Sequence, residues 1–168
     1  MIDSNFIKNS KFIAQYVSRE TLDELNKYSL LILKKNKEIN LISRSTEKSI
    51  KSRHIEDSAQ IIDFIDKNDI DVCTDLGSGA GLPGIVLAIL MKPKKPLFKV
   101  IFYEKSYHKS NFLKEISKKL NLNTEIIQKD IFSLKNIETG TIMSRAFKPM
   151  PVILNLVNEN FKKYVKKI

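Results

Sequence analysis

The stretch DVCTDLGSGAGLPG, residues 71–84, decides the fold of this chain. Its first half suits a short strand that ends near Asp75, and the apolar run Ile85–Leu90 that follows it suits a helix. Between them lie four of the chain's five glycines, at positions 77, 79, 81 and 84. Glycine permits tight turns and a close approach of the backbone to a ligand. We therefore expect a nucleotide-like ligand on this strand-to-helix turn.

The composition fits one domain with a sizeable core, since 42% of the 168 residues are hydrophobic and 29% are charged. No run approaches the roughly 20 apolar residues of a membrane span. Residues 1–11 lack the pattern of a signal peptide. The single cysteine, Cys73, lies inside the predicted strand, which favours a packing role and a reduced, cytoplasmic setting.

The chain is strongly basic, with a net charge of +10 and a pI of about 9.6. Such a balance favours polyanionic partners, nucleic acid above all. A second interpretation stays open, because lysine, isoleucine and asparagine are frequent along the whole chain. The charge alone therefore does not separate an RNA-binding surface from a compositional bias towards lysine.

Hydrophobic periodicity predicts two helices ahead of the first strand. The first opens with a capping box at Thr21-x-x-Glu24 and continues to about Asn40. The second runs over Glu47–Ile65 and carries His54 on its apolar face. We expect residues 1–68 to form an N-terminal helical cap.

From Asp71 onward, predicted strands and helices alternate, which indicates a parallel α/β sheet. We expect residues 69–168 to form a Rossmann-like core that makes one structural unit with the cap. The predicted strands are Val72–Leu76, Phe98–Tyr103, Thr124–Gln128 and Thr141–Ser144. One predicted helix starts near Pro83, and two more cover His108–Leu120 and Val152–Val165.

The glycine turn satisfies a dinucleotide fingerprint, Gly79-x-Gly81-x-x-Gly84, with Glu104 located 20 residues further on. A nicotinamide dinucleotide and S-adenosylmethionine both fit this pattern. Asp75 favours the second, because a sulfonium and an ammonium suit a nearby acid whereas a pyrophosphate does not. We expect S-adenosylmethionine as the cofactor, with an NAD-type binding domain as the alternative.

Candidate binding residues follow the other predicted strands, at the same edge of the sheet. Glu104 ends strand two, and a carboxylate there suits two ribose hydroxyls. Asp130, Ile131 and Phe132 follow strand three and suit an adenine amino group and its ring. Arg145 follows strand four and suits a methionine carboxylate or an RNA phosphate.

The two histidines carry little catalytic signal. A packed, hydrogen-bonded His54 is favoured over a catalytic one, and His108 is expected to be solvated. Neither has metal-ligand spacing with Cys73 or with an acid, so the sequence predicts no metal site.

Five segments, in order along the chain, resemble the bacterial 16S ribosomal RNA guanine-N7 methyltransferases, also called glucose-inhibited division protein B. They are Asn40-Leu41 with Ser43, RHIEDS at 53–58, DLGSGAGLPG at 75–84, Lys109 with Phe112-Leu113, and SRAF at 144–147. The resemblance implies a class I methyltransferase fold and methyl transfer to N7 of a guanine near the decoding centre. It also implies that the cofactor site is lined by Gly77, Leu82, the Ile131 region and Arg145.

The sequence departs from this family in three places. The tryptophan usual near Lys35-Asn36 is absent, and the acid usual after strand three aligns with Phe132. The family's sheet has seven strands, whereas this sequence predicts four, so we expect the last three strands to be missing. Strand four would then be an edge through which chains self-associate. A degenerate, non-catalytic RNA-binding remnant is a further alternative.

The resemblance makes 16S ribosomal RNA, or the small ribosomal subunit, the expected partner. Basic residues placed to meet its phosphates are Arg53, Lys105, Lys109 and Arg145. Because N7 of guanine keeps a lone pair and carries no proton, methyl transfer to it needs no general base. We therefore predict residues that position the reactants and no chemical catalyst.

Overall fold

A four-stranded parallel sheet forms the centre of the molecule, in the order β3-β2-β1-β4. The computed structural model describes residues 17–67 and 71–162. The strands are β1 Val72–Leu76, β2 Lys99–Tyr103, β3 Thr124–Ile127 and β4 Thr141–Ser144. The predicted α/β class is confirmed, and each strand end falls within one residue of its predicted place.

The first cap helix, α1, spans Arg19–Lys35. Its N-cap is Ser18, whose hydroxyl accepts from the backbone N–H of Thr21, so the predicted cap at Thr21 was wrong by one turn. The helix also ends earlier than predicted, at Asn36. The Asn36 side chain turns back and accepts from the N–H groups of Leu41 and Ile42, at 2.8 and 3.0 Å, which holds the chain that leaves the helix.

The predicted second helix, Glu47–Ile65, is wrong as a single element. It is broken into a 3₁₀ segment Arg44–Ser49, a π-helical turn Lys51–Glu56, and the short helices α2 Asp57–Ala59 and α3 Ile62–Lys67.

Hydroxyl side chains account for this irregularity. Those of Thr46, Ser49 and Ser52 each donate to the carbonyl three residues earlier and so compete with regular helical bonding. The segment still buries Ile55 and leaves His54 half-buried. Its π-helical turn carries Arg53 and His54 towards the loop after β4.

Three longer helices cover the sheet: α4 Gly84–Met91, α5 Tyr107–Lys119 and α6 Met150–Asn160. Every residue of α4 is buried, because this helix lies between the sheet and the cap. The prediction of Val152–Val165 for α6 started two residues late, and its last residues lie outside the described part of the chain. After α6, Phe161 forms a parallel bridge with Ile137, so the helix ends at Asn160.

One hydrophobic cluster joins the cap, α4 and the sheet, and includes Tyr28, Ile55, Leu87 and Phe102. A smaller cluster fills the opposite face of the sheet between Leu76 and α6. The cap therefore shares its core with the sheet, while the predicted boundary at residues 68 and 69 lies outside the described residues. No helix in the described ranges has the length and hydropathy needed to span a membrane.

Candidate functional site

The three glycines of the turn that have positive φ differ in what surrounds them. A Cβ atom at Gly77 would lie 2.0 Å from the Phe147 ring, and one at Gly81 would lie 2.5 Å from Ile85. These two positions need glycine for packing as well as for backbone conformation. At Gly79 the nearest heavy atom to such a Cβ would be the Gly77 carbonyl oxygen, at 3.9 Å. Gly79 is therefore the glycine that leaves space for a ligand.

Asp75 lies beneath the turn and not in a cavity, with 1% of its surface exposed. Its Oδ2 accepts from the N–H of Gly84 at 3.0 Å, and its Oδ1 has no hydrogen-bond partner within the described ranges. Burial raises the pKa of this carboxyl to about 7; the Gly84 N–H opposes the rise, and the Glu104 carboxylate adds to it. The predicted direct contact between Asp75 and the cofactor is thus corrected to support of the turn from behind.

Glu104 connects the end of β2 to the glycine turn. Its Oε2 accepts from the N–H of Gly79 at 2.9 Å, and its Oε1 accepts from the N–H of Ser106 at 2.8 Å. Each carboxylate oxygen keeps a further lone pair. The residue is 7% exposed and contributes to a cavity wall. The geometry fits a carboxylate that is held in place and can accept two more hydrogen bonds.

We call the space above the ends of β1, β2 and β3 the strand-end cavity; its volume is about 380 Å³. It brings together six of the residues predicted to bind the cofactor: Gly77, Gly79, Glu104, Asp130, Ile131 and Phe132. The remaining wall residues are Tyr103, Lys105, Lys109, Lys129, Ala146, Phe147 and Lys148. Of the predicted cofactor residues, Asp75, Gly81, Leu82 and Arg145 are not in this wall.

The segment after β3 is a 3₁₀ turn, Ile131–Ser133, which is capped by Asp130. Asp130 Oδ1 accepts from the N–H of Phe132 at 3.1 Å, and its Oδ2 lies 3.6 Å from Lys105 Nζ. The Phe132 ring lies 6.1 Å from that of Phe147, centroid to centroid. The far end of the cavity therefore offers aromatic faces beside a carboxylate.

A second space, the cap-side cavity, has a volume of about 280 Å³ and lies between the glycine turn and the cap. It shares four wall residues with the strand-end cavity: Gly77, Gly79, Lys109 and Ala146. Its other walls are Leu41, Ile42, Ser43, His54, Ser78, Ala80, Leu82 and Arg145. Leu82 and Arg145, which the resemblance places at the cofactor, thus line this neighbouring cavity.

Arg145 extends from the loop after β4 towards the cap. One terminal nitrogen, Nη1, lies 3.2 Å from Ser58 Oγ and 3.3 Å from Asp57 Oδ2. The other, Nη2, donates to the Arg53 carbonyl at 3.0 Å and lies 3.1 Å from His54 Nδ1. The predicted Arg145 therefore forms part of a cavity wall and also binds the cap, a second role that the sequence did not indicate.

The predicted RNA-binding residues lie in different places. Lys109 lines both cavities, Lys105 lines the strand-end cavity, and Arg145 lines the cap-side cavity. Arg53 is exposed but is absent from both walls. No group of three potential metal-ligating side chains occurs within residues 17–67 and 71–162.

Sequence reasoning missed two side chains that shape the cap-side cavity. Tyr28, fully buried on α1, donates its hydroxyl to the carbonyl of Ala80 at 2.8 Å and so holds the glycine turn. Asn36 holds the wall residues Leu41 and Ile42 through their N–H groups. The position of Asn36 at the end of a helix is a sequence signal for a cap. The hydrogen bond from Tyr28 to Ala80 has no such signal, because the two residues are 52 positions apart in the sequence.

Comparison with known proteins identifies the family. The family model described as rRNA small subunit methyltransferase G matches residues 21–166. The chain belongs to this family. A "Ribosomal RNA small subunit methyltransferase G" of Pelagibacter ubique is 51% identical over 152 residues, which is 89% of this chain and 71% of that protein.

Two further relatives carry the same name. One from Cereibacter sphaeroides is 40% identical over 134 residues, covering 80% of this chain and 64% of that protein. One from Rickettsia akari is 38% identical over 141 residues, covering 84% of this chain and 70% of that protein. The chain thus spans about two thirds of the length of these relatives.

Solved structures show the same fold. A putative S-adenosyl-L-methionine-dependent methyltransferase from Methanococcus maripaludis is similar at a TM-score of 0.51 and 20% identity, over 68% of this chain and 56% of that one. Coclaurine N-methyltransferase is similar at a TM-score of 0.52 and 16% identity, over 95% of this chain and 56% of that one. The expected class I, Rossmann-like fold and the resemblance to the family are confirmed. The family is one of methyltransferases and the fold is shared with S-adenosylmethionine-dependent methyltransferases, so an NAD-type domain is not favoured.

Proposed function

We propose that this chain binds S-adenosylmethionine on the glycine turn and transfers its methyl group to N7 of a guanine in 16S ribosomal RNA. The observation that carries the proposal is Glu104, which is fixed by the N–H groups of Gly79 and Ser106 at the wall of the strand-end cavity. A carboxylate held this way can accept from the two hydroxyls of a ribose. Space at Gly79 then admits the ligand against the backbone.

The rest of the strand-end cavity suits an adenine. Ile131 and the Phe132 ring offer apolar faces to the base, and Asp130 offers a carboxylate to its amino group. The methionine end then lies over Gly77 and Gly79, next to the cap-side cavity. There Arg145 offers a guanidinium to the carboxylate of the cofactor.

Methyl transfer to N7 requires little chemistry from the protein. When bound, S-adenosylmethionine supplies an electrophilic methyl carbon on a sulfonium. The N7 lone pair forms the new carbon–nitrogen bond as the carbon–sulfur bond breaks, and S-adenosylhomocysteine leaves. No proton moves, so the protein contributes in-line placement and exclusion of water. Leu41, Ile42 and Leu82 form an apolar wall of the cap-side cavity that serves this exclusion.

We infer that the RNA backbone crosses the mouths of both cavities. Lys109 is shared by the two walls, and Lys105, Lys129 and Lys148 line the strand-end cavity. The acids in that wall are already engaged, since Glu104 binds two N–H groups and Asp130 lies near Lys105. This positive margin favours RNA phosphates. A ribosomal substrate also places the protein in the cytoplasm, consistent with the buried free thiol of Cys73.

Self-association through β4 remains part of the proposal. Within the described residues β4 pairs with β1 on one side only, which leaves its other edge open to a strand from a second chain. Beside this edge, Ile142, Leu154, Val157 and Phe161 line a groove of about 380 Å³. An apolar groove along an open strand edge favours pairing between two copies.

Calorimetry with S-adenosylmethionine, S-adenosylhomocysteine and NAD tests the cofactor. We expect binding of the first two only. Gly79→Asp should weaken S-adenosylhomocysteine binding at least tenfold, about 1.4 kcal/mol. Gly79→Ala is the matched control, since it adds the Cβ atom without the charge. Affinities of folded Gly79→Asp and Gly79→Ala that both equal that of the unmodified chain would remove the site from this turn.

Mass spectrometry of small-subunit RNA incubated with the chain and S-adenosylmethionine tests the reaction. A methyl group on guanine N7 supports the proposed activity. Cofactor and RNA binding without any methylation would instead support the non-catalytic RNA-binding alternative. NAD binding in the calorimeter would restore the dinucleotide alternative.

A further inference from the structure

Both ring nitrogens of His54 take part in hydrogen bonds. Nε2 lies 2.8 Å from Thr46 Oγ1, and Nδ1 lies 3.1 Å from Arg145 Nη2. A guanidinium can only donate, so Nδ1 must be the unprotonated acceptor. The hydrogen-bond network therefore assigns a neutral imidazole whose proton is on Nε2 and is donated to Thr46.

This network continues into the wall of the cap-side cavity. The Thr46 hydroxyl donates onward to the carbonyl of Ser43 at 2.8 Å. Donors thus run in one direction from Arg145 to His54, then to Thr46 and Ser43. Arg145, His54 and Ser43 all line the cap-side cavity. The histidine is the link that ties the loop after β4 to the cap.

The guanidinium has other contacts besides His54, and the contact with the histidine differs from them. Asp57 and Ser58 bind Nη1 of Arg145, whereas the Arg53 carbonyl and His54 share Nη2. The His54 ring is the contact that leads back into the cavity wall.

We propose that neutral His54 is a positioning residue that holds the Arg145 guanidinium in the wall of the cap-side cavity, ready for the carboxylate of the methionine moiety. This inference rests on the proposed function, because it assigns Arg145 to the cofactor. In this role His54 acts on Arg145 and not directly on the cofactor. It acts through the lone pair of Nδ1.

Protonation of His54 would turn the attraction between Nδ1 and the Arg145 guanidinium into repulsion. Nδ1 would become a donor that faces another donor, and an imidazolium would stand beside Arg145. Of the charged groups around the ring, Arg145 and Arg53 disfavour the imidazolium and Asp57 favours it, while Glu47 of the 3₁₀ segment is bonded to Asn36. Burial, followed by Arg145, lowers the pKa of His54 below its usual 6.5. The neutral form is therefore present at neutral pH and is lost as the pH falls through the lowered pKa.

Two substitutions separate the roles of the two nitrogens. In His54→Asn the amide oxygen takes the place of Nδ1 and can still accept from Arg145. In His54→Gln the amide nitrogen takes the place of Nε2 and can still donate to Thr46, but the acceptor for Arg145 is lost. We expect S-adenosylhomocysteine affinity at pH 7.5 to stay within about twofold in His54→Asn and to fall about tenfold in His54→Gln.

The pH dependence of the same affinity is the decisive measurement. Between pH 7.5 and pH 5, the unmodified chain should lose affinity at least threefold more than His54→Asn does. Asp75, whose pKa of about 7 places its titration in this range, is present in both proteins and cancels in the comparison. Equal pH profiles, or unchanged affinity in His54→Gln, would overturn the positioning role.

Nitrogen NMR provides a readout without any ligand. The chain has two histidines, His54 and the exposed His108, so the signals are easily assigned. We expect His54 as the Nε2–H tautomer, with a pKa below 6.5 that rises in Arg145→Gln. A His54 with its proton on Nδ1 would contradict the proposal even if no variant folded. Failure of the unmodified chain to bind S-adenosylhomocysteine at any pH would instead contradict the proposed function.

Discussion

Gly77 and Phe147 are packed so closely that a Cβ atom at Gly77 would lie 2.0 Å from Cδ2 of the ring. Gly77 begins the glycine turn, and Phe147 lies on the loop that follows β4. Phe147 packs in turn against the hydrophobic cluster on the α6 face of the sheet. The absence of a side chain at one residue therefore allows the loops after β1 and β4 to meet.

Gly77→Ala should destabilise the protein much more than Gly79→Ala. Both residues have positive φ, 65° and 56°, which costs an alanine about 1–2 kcal/mol. Only at position 77 must the new methyl group also displace an aromatic ring. We expect a loss of about 3 kcal/mol for Gly77→Ala and about 1 kcal/mol for Gly79→Ala in urea unfolding. Equal losses would contradict the packing described here.

Asp75 should make the free energy of unfolding depend on pH. Its folded pKa of about 7 lies above the ordinary value of 3.8 for an aspartate, so the folded state binds the proton more tightly. The resulting stabilisation is complete below about pH 4 and is lost as the pH rises through 7. The upper bound of this stabilisation is about 4 kcal/mol, because the folded pKa of Asp75 lies about three units above its ordinary value.

Asp75→Asn removes this titration while keeping an oxygen that can accept from the N–H of Gly84. Urea unfolding of this variant between pH 4 and pH 8 should show a flatter profile than that of the unmodified chain. The same downward slope in both proteins would mean that another group carries it.

Lys109 should contribute one phosphate contact to RNA binding, because it stands where the two cavities meet. Neutralising one contacting lysine lowers the salt slope of log K by about one. Lys109→Gln should show this change in affinity measurements on a small-subunit RNA fragment at several salt concentrations. Lys118→Gln, in the last turn of α5, removes the same charge far from the cavities and should leave the slope unchanged. Similar slopes for both variants would favour the compositional explanation of the lysines.

The open edge of β4 should make the chain self-associate at high concentration. Leu154 lines the groove beside this edge and is 60% exposed, so Leu154→Lys adds a charge there with little effect on folding. Light scattering should show a shift towards monomer in Leu154→Lys. Leu97→Lys, at a residue that is 86% exposed and absent from the groove, should not shift it. A monomeric unmodified chain would contradict this prediction.

The sheet could be predicted from the sequence because its signals are local. Strands that are buried on both faces give continuous apolar runs. The glycines at positions 77 to 84 indicate a turn where a ligand or close packing leaves no room for side chains. Strand bounds and the positions of Glu104 and Asp130 followed from these signals. The family resemblance then supplied the class of the fold, with which the observed parallel sheet agrees.

The cap could not be predicted to the same depth, because its conformation depends on contacts distant in sequence. Periodicity suggested one helix over Glu47–Ile65, whereas hydroxyl bonding within the segment produces a π-helical turn. The position of Arg145 depends on His54 and Asp57, which lie about 90 residues earlier. Asp75 was misplaced for a related reason, since its hydrogen bond to the N–H of Gly84, nine residues later, depends on the path of the turn and not on residue type.

The two cavities share Gly77, Gly79, Lys109 and Ala146 as common walls. A ligand that shifts any of these residues alters both spaces at once, so occupancy of one cavity and affinity at the other are thermodynamically linked. Such linkage is reciprocal: if docked RNA strengthens binding of the spent cofactor by some factor, the spent cofactor strengthens binding of RNA by the same factor. Exchange of the cofactor and departure of the RNA are then coupled equilibria, and the coupling free energy measured with either ligand applies to the other.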